Sequence, residues 1–521
     1  MRKFSFLFAI VAVLIFIAIQ SCKQKGNAVK TTDFNIIYDS SLVAPFFKSY
    51  PLLQKYEKDL TAICRNYNYK HIWFDEKGVV EFGNSLHSKF IKLKEEGISA
   101  SFPYAEKIDG IFSAQTGNNL NNTDAELMLT CLYLFYADNV YKGIDNDSIT
   151  AMGWFQPRKD VSSPGLLYAM LEDPRLLNEN NLVLCSQYYQ LRDVLKYYRD
   201  IEQKGGWNPI ELNPEIKTFK PGDSSKVIQQ IRERLFITRD IKENNPSNRY
   251  DAELTDAIKK YQVRNGYKTN PLISTKLIQD MNVPVSDRVK TIIINMERCR
   301  WISPLIFDAK EYIFVNIPSY KLKMIRDEKV VFDSPVVVGA TKTKTDIFIA
   351  VMSYLIFSPY WNLPKSIIEK EIKPAIAKDT NYLTSHHMEW NNGQVRQKPG
   401  KHNSLGLVKF MFPNSYEIYF HDTPSKSHFN RETRALSHGC VRVGKPRELA
   451  LMILKDNKTW TPQKIDSAMN GGKETICSLK NQIPVYILYF TSWVDENGEI
   501  NFYKDVYDKD ERLAALLFKK E

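Results

Sequence analysis

The hydrophobic period of this chain changes once, near residue 300, and that change limits the folds open to it. Upstream, apolar residues recur at helical spacing. Downstream, E-Y-I-F-V-N-I-P from Glu311, Y-K-L-K-M-I from Tyr320 and V-V-F-D-S-P-V-V-V-G from Val330 read as strands. Pro318-Ser319 and Asp327-Glu328 supply the turns between them. Helices first and strands later make the fold class multidomain α+β. At 521 residues the chain is too long for one core and suggests about three domains, and 43% apolar residues give each enough to bury.

Residues 44–215 read as a helical domain. Its clearest element is T-D-A-E-L-M-L-T-C-L-Y-L-F-Y-A-D-N-V-Y-K-G, in which Thr123 and Glu126 form a capping box and Gly143 provides the stop. Apolar residues cover most of that helix, so it is expected deep in a bundle, and no catalytic constellation accompanies it. Residues 216–285 form a smaller unit of three short helices. Val227, Ile231 and Leu235 face the core from the first, Leu254, Ile258 and Tyr261 from the second, and Leu277, Ile278 and Met281 from a third capped by Ser274. A linker helix is expected within 286–309, then a mainly-β domain over 310–505. Its further strands are Met352–Phe357, Tyr416–Phe420, Val485–Thr491 and, after the Asn497-Gly498 turn, Ile500–Tyr503. A helical, polar insertion at about 364–401 has the length of a lid or flap. Residues 506–521 read as a helical tail.

At the N-terminus, Arg2 and Lys3 precede an apolar run from Phe4 to Ile19, the pattern of a secretory signal over residues 1–21. Ile19-Gln20-Ser21-Cys22 resembles a bacterial lipobox, with Cys22 as the lipidated residue and residues 22–43 as a tether. These features predict a membrane-tethered protein of the cell envelope, on the periplasmic side. The net charge of +11 favours an acidic polymer or a membrane surface, and no zinc-finger or RNA-binding pattern accompanies it, so no nucleic-acid partner is expected. The six other cysteines are irregularly spaced, without a small disulfide framework.

The chemistry concentrates in H-D-T-P-S-K-S-H-F-N-R-E-T-R-A-L-S-H-G-C-V-R-V, His421 to Val443. A cysteine attacks as thiolate, an imidazole can take and return its proton, and a glycine lets backbone N–H groups approach an oxyanion. Arg442 offers a planar fork for a carboxylate. Cys440 is therefore a candidate nucleophile for acyl transfer through a thioester. The other readings are a buried structural cysteine, a disulfide partner, or a zinc ligand with His421, His438 and His428. Spacing favours His438 as base, but residues i and i+2 on an extended segment point to opposite faces.

H-D-T followed by S-H-G-C-V-R-V resembles the signature of the L,D-transpeptidase (YkuD-type) catalytic domain. The 216–285 unit, through A-I-K-K-Y-Q-V-R-N-G-Y, resembles a peptidoglycan-binding module. The order of helical scaffold, peptidoglycan-binding module and catalytic domain with an inserted flap is similar to the large LdtD (YcbB)-type branch, as are F-S-P-Y-W-N-L-P-K-S-I-I and H-N-S-L-G-L-V-K-F-M-F-P-N-S. The resemblance implies Cys440 as nucleophile and His421 as general base and acid, oriented by the backbone carbonyl of Asp422. It implies an oxyanion hole from the His438 and Gly439 backbone, and substrate contacts from Arg442, Trp361 and Asn362. Position 422 is Asp where small residues are common; a carboxylate turned inward would raise the His421 pKa. The implied partners are peptidoglycan stem peptides and glycan, the implied product a 3–3 cross-link with release of D-alanine, and the implied inhibitors carbapenems. No metal or organic cofactor is expected. Hydrolysis by the same thioester, as an L,D-carboxypeptidase or endopeptidase, stays open, as does a non-catalytic wall-anchoring lipoprotein.

Overall fold

The computed structural model describes residues 37–113, 122–155, 162–173, 175–178, 183–212, 218–303, 306 and 309–518. The expected signal segment and Cys22 lie outside the described residues. No helix among the described residues is long and apolar enough to cross a membrane.

The chain divides into two compact units, one of residues 1–87 and 102–134, the other of 88–101 and 135–521. In the first, the end of the expected tether is packed rather than loose. Ile37 bridges to Lys70, and buried Tyr38 donates its hydroxyl to Cys64 Sγ at 2.9 Å. Helix α1 (Asn122–Tyr136) is nearly all buried along its length, as its apolar circumference requires. The capping box does not form. Thr123 lies inside the helix, and the Glu126 carboxylate instead accepts from the backbone N–H groups of Ile72 at 2.6 Å and Trp73 at 3.1 Å. A buried carboxylate needs donors, and the bend at Ile72–Trp73 supplies two N–H groups at once. A π-helical turn over Ala137–Lys142 follows α1 and stops at Gly143, whose φ of 69° suits glycine.

The second unit contains α2 (Ser186–Gln203) and a three-helix module of α3 (Lys226–Ile237), α4 (Ala252–Arg264) and α5 (Thr275–Met281). Ser225, Asp251 and Ser274 cap the three helices with side-chain oxygens, and the apolar positions expected from their spacing form one shared core. The linker helix is α6 (Val285–Arg300).

The sheet that follows has nine strands: β1 (Glu311–Asn316), β2 (Lys321–Arg326), β3 (Lys329–Gly339), β4 (Ile349–Phe357), β5 (Val408–Met411), β6 (Phe420–His421), β7 (Ala435–Ser437), β8 (Val441–Val443) and β9 (Thr475–Leu488). Their order is β7-β3-β8-β6-β5-β4-β9-β1-β2, and the long β3 pairs with β2 as well as β8, so the sheet closes on itself. Tyr416–Tyr419 are not strand, because Glu417 turns the chain with a φ of 55°. A hairpin of β10 (Ser492–Val494) and β11 (Ile500–Phe502) closes at Gly498, and the tail carries α7 (Lys509–Leu517). The insertion is not only helical. Met388–Asn391, Gln394–Gln397 and Trp361–Asn362 form a separate three-stranded sheet, which shares a small apolar core with the insertion's helical turns.

Candidate active site

Strand register builds the site. Lys409 of β5 pairs with His421 of β6, and His421 pairs with Arg442 of β8, so the three form one row on one face of the sheet. The neighbouring row, Phe410, Phe420 and Val441, is fully buried on the other face. Alternation along each short strand therefore anchors the polar row from behind with core packing.

His421 is buried, and its Nδ1 meets the Asp422 carbonyl oxygen at 2.5 Å. A carbonyl only accepts, so the proton sits on Nδ1 and the lone pair on Nε2. Burial first, then Arg442, with Lys409 and Lys426 adding to it, hold the imidazole down at about 3 against the Asp422 carbonyl's opposite pull. His421 is thus a neutral base at neutral pH. The Asp422 carboxylate does not face it. That group accepts from Leu407 N–H at 2.9 Å and Thr423 N–H at 2.6 Å, and pairs with Lys426. Gly406, at φ +62°, leaves the room it occupies, and a β-carbon there would collide with the carboxylate.

Cys440 lies between β7 and β8 and, among the described cysteines, is alone in being half-exposed; none of them is in a disulfide. Its thiol donates to the Glu417 carbonyl at 3.6 Å rather than to the imidazole. Burial pushes the thiol up, while the Tyr419 N–H and hydroxyl, Lys409 and Arg442 pull the other way. The Lys409 ammonium sits 3.7 Å over the Tyr419 ring. With the thiol raised and the imidazole lowered, the resting pair is neutral.

The loop before Cys440 is held from below. Gly439, at φ +122°, donates its N–H to Ser437 Oγ at 3.2 Å, and Ser437 Oγ donates to the Cys440 carbonyl at 2.6 Å. Thr345 Oγ1 donates to the Gly439 carbonyl at 2.6 Å, and the Tyr507 hydroxyl accepts from Thr345 N–H at 3.1 Å. One of the two backbone groups expected at the oxyanion position is thus engaged locally by Ser437. The His438 side chain turns outward, 3.4 Å from Glu371 of the insertion, and both groups are exposed.

Arg442 Nη1 lies 3.2 Å from His428 Nδ1, and its Nε is buried without a partner. The four side chains considered as zinc ligands do not converge: His421 faces a carbonyl, His428 an arginine, His438 a carboxylate and Cys440 a different carbonyl. Trp361 and Asn362 lie in the insertion's own sheet, where Trp361 packs on its core and Asn362 is exposed. Tyr419, Thr345 and Tyr507 carry no motif, whereas Gly406 and Lys409 stand within H-N-S-L-G-L-V-K-F-M-F-P-N-S, which carries the resemblance without marking either as a site residue.

The family model of the L,D-transpeptidase catalytic domain (YkuD) matches residues 310–465, and that of a scaffold domain matches residues 58–195. A Haemophilus influenzae protein named "Putative L,D-transpeptidase" is 34% identical over 249 residues, 44% of this chain and 50% of that protein. The match thus spans about half the length of that curated relative. Among solved structures, the L,D-transpeptidase (Yku) of Stackebrandtia nassauensis aligns with 52% of this chain and 94% of its own at 15% identity and a TM-score of 0.21. The L,D-transpeptidase from Mycobacterium smegmatis aligns with 34% and 58% at 13% identity and a TM-score of 0.19.

Proposed function

From a chain that carries an L,D-transpeptidase catalytic domain and a scaffold domain, we propose a peptidoglycan L,D-transpeptidase working through a Cys440 acyl-enzyme. The observation that carries this reading is the buried, neutral His421, its Nδ1 held by a backbone carbonyl and its Nε2 left as the base. Cys440 swings from the Glu417 carbonyl toward His421 Nε2 and attacks the carbonyl of the third residue of a tetrapeptide stem. His421 takes the thiol proton and returns it to the departing amine of D-alanine, leaving a thioester. The side-chain amine of a neighbouring stem's third residue then attacks the thioester carbonyl and gives a proton to His421; the C–S bond breaks, His421 returns that proton to the departing Cys440 thiolate, and a 3–3 cross-link is formed. Backbone N–H groups of the His438–Cys440 loop stabilise the tetrahedral oxyanion, with Gly439 released from Ser437. The unpartnered Arg442 Nε is suited to a stem carboxylate. Trp361 and Asn362 act, if the insertion closes over the cleft, as contacts from the flap side.

The N-terminal sequence supports a periplasmic protein tethered through lipidated Cys22, which radiolabelled-lipid incorporation and its loss in Cys22→Ala would test. For the reaction, intact mass after carbapenem treatment should show one adduct, absent from Cys440→Ala. Defined tetrapeptide muropeptides should yield cross-linked dimers and D-alanine. Trimmed tripeptides without dimers would make the enzyme a hydrolase. Binding to sacculi with neither adduct nor product would make it a wall anchor.

A further inference from the structure

Away from Cys440, the second unit holds an imbalance of buried charge. Helices α3, α4, α5 and α6, with the loop after α3, bring together three arginines, Arg234, Arg264 and Arg288, and two carboxylates, Asp240 and Asp280. Arg264 is matched: its Nε donates to Asp240 Oδ1 at 2.6 Å, and its Nη2 pairs with the other oxygen. Arg288 is matched by Asp280 at 3.1 Å, whose second oxygen accepts the Tyr261 hydroxyl at 2.7 Å. Among the described residues, Arg234 has no carboxylate partner. It is 2% exposed, donates one bond to the Asn208 carbonyl at 2.8 Å and lies 4.6 Å from the Trp207 ring centroid. Its Nε and Nη1 have no partner. Burial above all, with Arg288 adding to it, lowers Arg234 to about 10, so it remains charged at neutral pH. A buried guanidinium with no counter-charge is costly, and the cluster is one negative charge short.

The space at Arg234 fits that deficit. Arg234 lines a void of about 10 Å³, room for about one oxygen-sized atom. This void shares Tyr198, Thr238 and Arg264 with a cavity of about 420 Å³ between α2, the three-helix module and the β10–β11 hairpin. Around the larger cavity two of the other charges lie near charges of opposite sign, and Arg239 rests on a ring. Lys260 pairs with Glu499 at 2.5 Å, Asp193 lies 4.0 Å from Arg192, and Arg239 stacks 3.5 Å over Tyr197.

We propose that this junction is a binding site for the carboxylate of a small ligand, one oxygen seated against Arg234 and the body of the ligand in the larger cavity. A carboxylate brings the single charge the cluster lacks, whereas a phosphate monoester brings more charge than it lacks. The carboxylate belongs either to a free organic acid or to a peptide terminus. The site uses no residue of the Cys440 row and does not depend on acyl transfer there.

Calorimetric titration and thermal melting of the full chain test it, with sodium acetate, its neutral isostere acetamide, matched sodium chloride, and a stem tripeptide with a free terminal carboxylate. Acetate and tripeptide should bind saturably and raise the melting midpoint, while acetamide and chloride should not. Arg234→Met should weaken both by at least about tenfold and leave the rate of Cys440 alkylation unchanged. Tripeptide binding at least about tenfold tighter than acetate identifies a peptide terminus, and equal binding identifies a small acid. Equal response to acetate and acetamide, no response of the wild type, or full binding by Arg234→Met overturns the proposal, the void then holding only water. If Arg234→Met does not fold, the acetate and acetamide pair on the wild type decides alone.

Discussion

Two histidines of this protein are buried almost equally, His71 at 3% exposure and His421 at 5%, and their surroundings give them different chemistry. His71, in the first unit, lies 3.3 Å from the Glu126 carboxylate, which also anchors two backbone N–H groups. His421, in the second, meets a backbone carbonyl and stands in a row between Lys409 and Arg442. At His71 the carboxylate beside the ring serves the packing, since it also accepts the Ile72 and Trp73 N–H groups. A carbonyl partner orients the ring without charging it, and cations on either side keep it neutral. Burial alone therefore does not separate a structural histidine from a base. The sign of the neighbouring charges does.

The sharpest way to break the comparison is to replace each ring. His421→Gln should lower turnover of tetrapeptide muropeptides about 10²–10⁴-fold at nearly unchanged stability. His71→Gln should leave kcat of the folded protein intact and cost about 1–3 kcal/mol in urea unfolding. Loss of turnover in the folded His71→Gln protein would remove the contrast.

Next in size is the carboxylate itself. Glu126→Ala leaves the Ile72 and Trp73 N–H groups without their acceptor, and should cost about 3–5 kcal/mol, read from the urea midpoint. Glu126→Gln, which keeps one oxygen, should cost less.

The pH dependence tests the neutral state of His421. The folded-state pKa of His421 lies below its ordinary 6.5, at about 3. Its contribution to stability is therefore complete above 6.5 and is lost as pH falls from 6.5 toward about 3, because only the unfolded chain takes up the proton in that window. The kcat/KM profile of the folded enzyme should show no acid limb near 6.5. An acid limb there that persists in a His438→Ala control would mean that His421 titrates normally.

Lys409→Met should move the two reacting groups in one direction. It removes a cation that lowers both the Cys440 thiol and the His421 imidazole, so both pKa values rise. Iodoacetamide should alkylate Cys440 up to about tenfold more slowly at neutral pH, and Lys409→Arg should restore the rate. The smallest effect belongs to the histidine nearest Cys440 in sequence. His438→Ala removes only an exposed contact with Glu371 and should change kcat less than about threefold.

The candidate site was legible where its signal is local. His421, Gly439 and Cys440 stand within one short segment, and the alternation argument already turned His438 away from the base's role. Glu126 shows the opposite case. T-x-x-E reads as a capping box because that motif is local, whereas the partner of Glu126 is Ile72, 54 residues upstream. The Asp422 carboxylate posed a question that only Gly406 and the Leu407 N–H answer, by taking it away from the imidazole. Trp361 and Asn362, read as cleft residues, belong to the insertion's own sheet, because the strand Gln394–Gln397 pairs with them there.

By itself the sequence determined the order of helices and strands, the three-helix module with its Ser274 cap, and which cysteine and histidine are the candidates for the chemistry. These depend on hydrophobic period, capping side chains and motif, which neighbouring residues settle among themselves. The tertiary structure alone decided which cations flank His421, which loop carries Gly439, and which arginine is left without a counter-charge. Lys409, Tyr507 and Asp240 reach their partners across strand registers and helix packing, and a linear chain does not encode such distances until it closes.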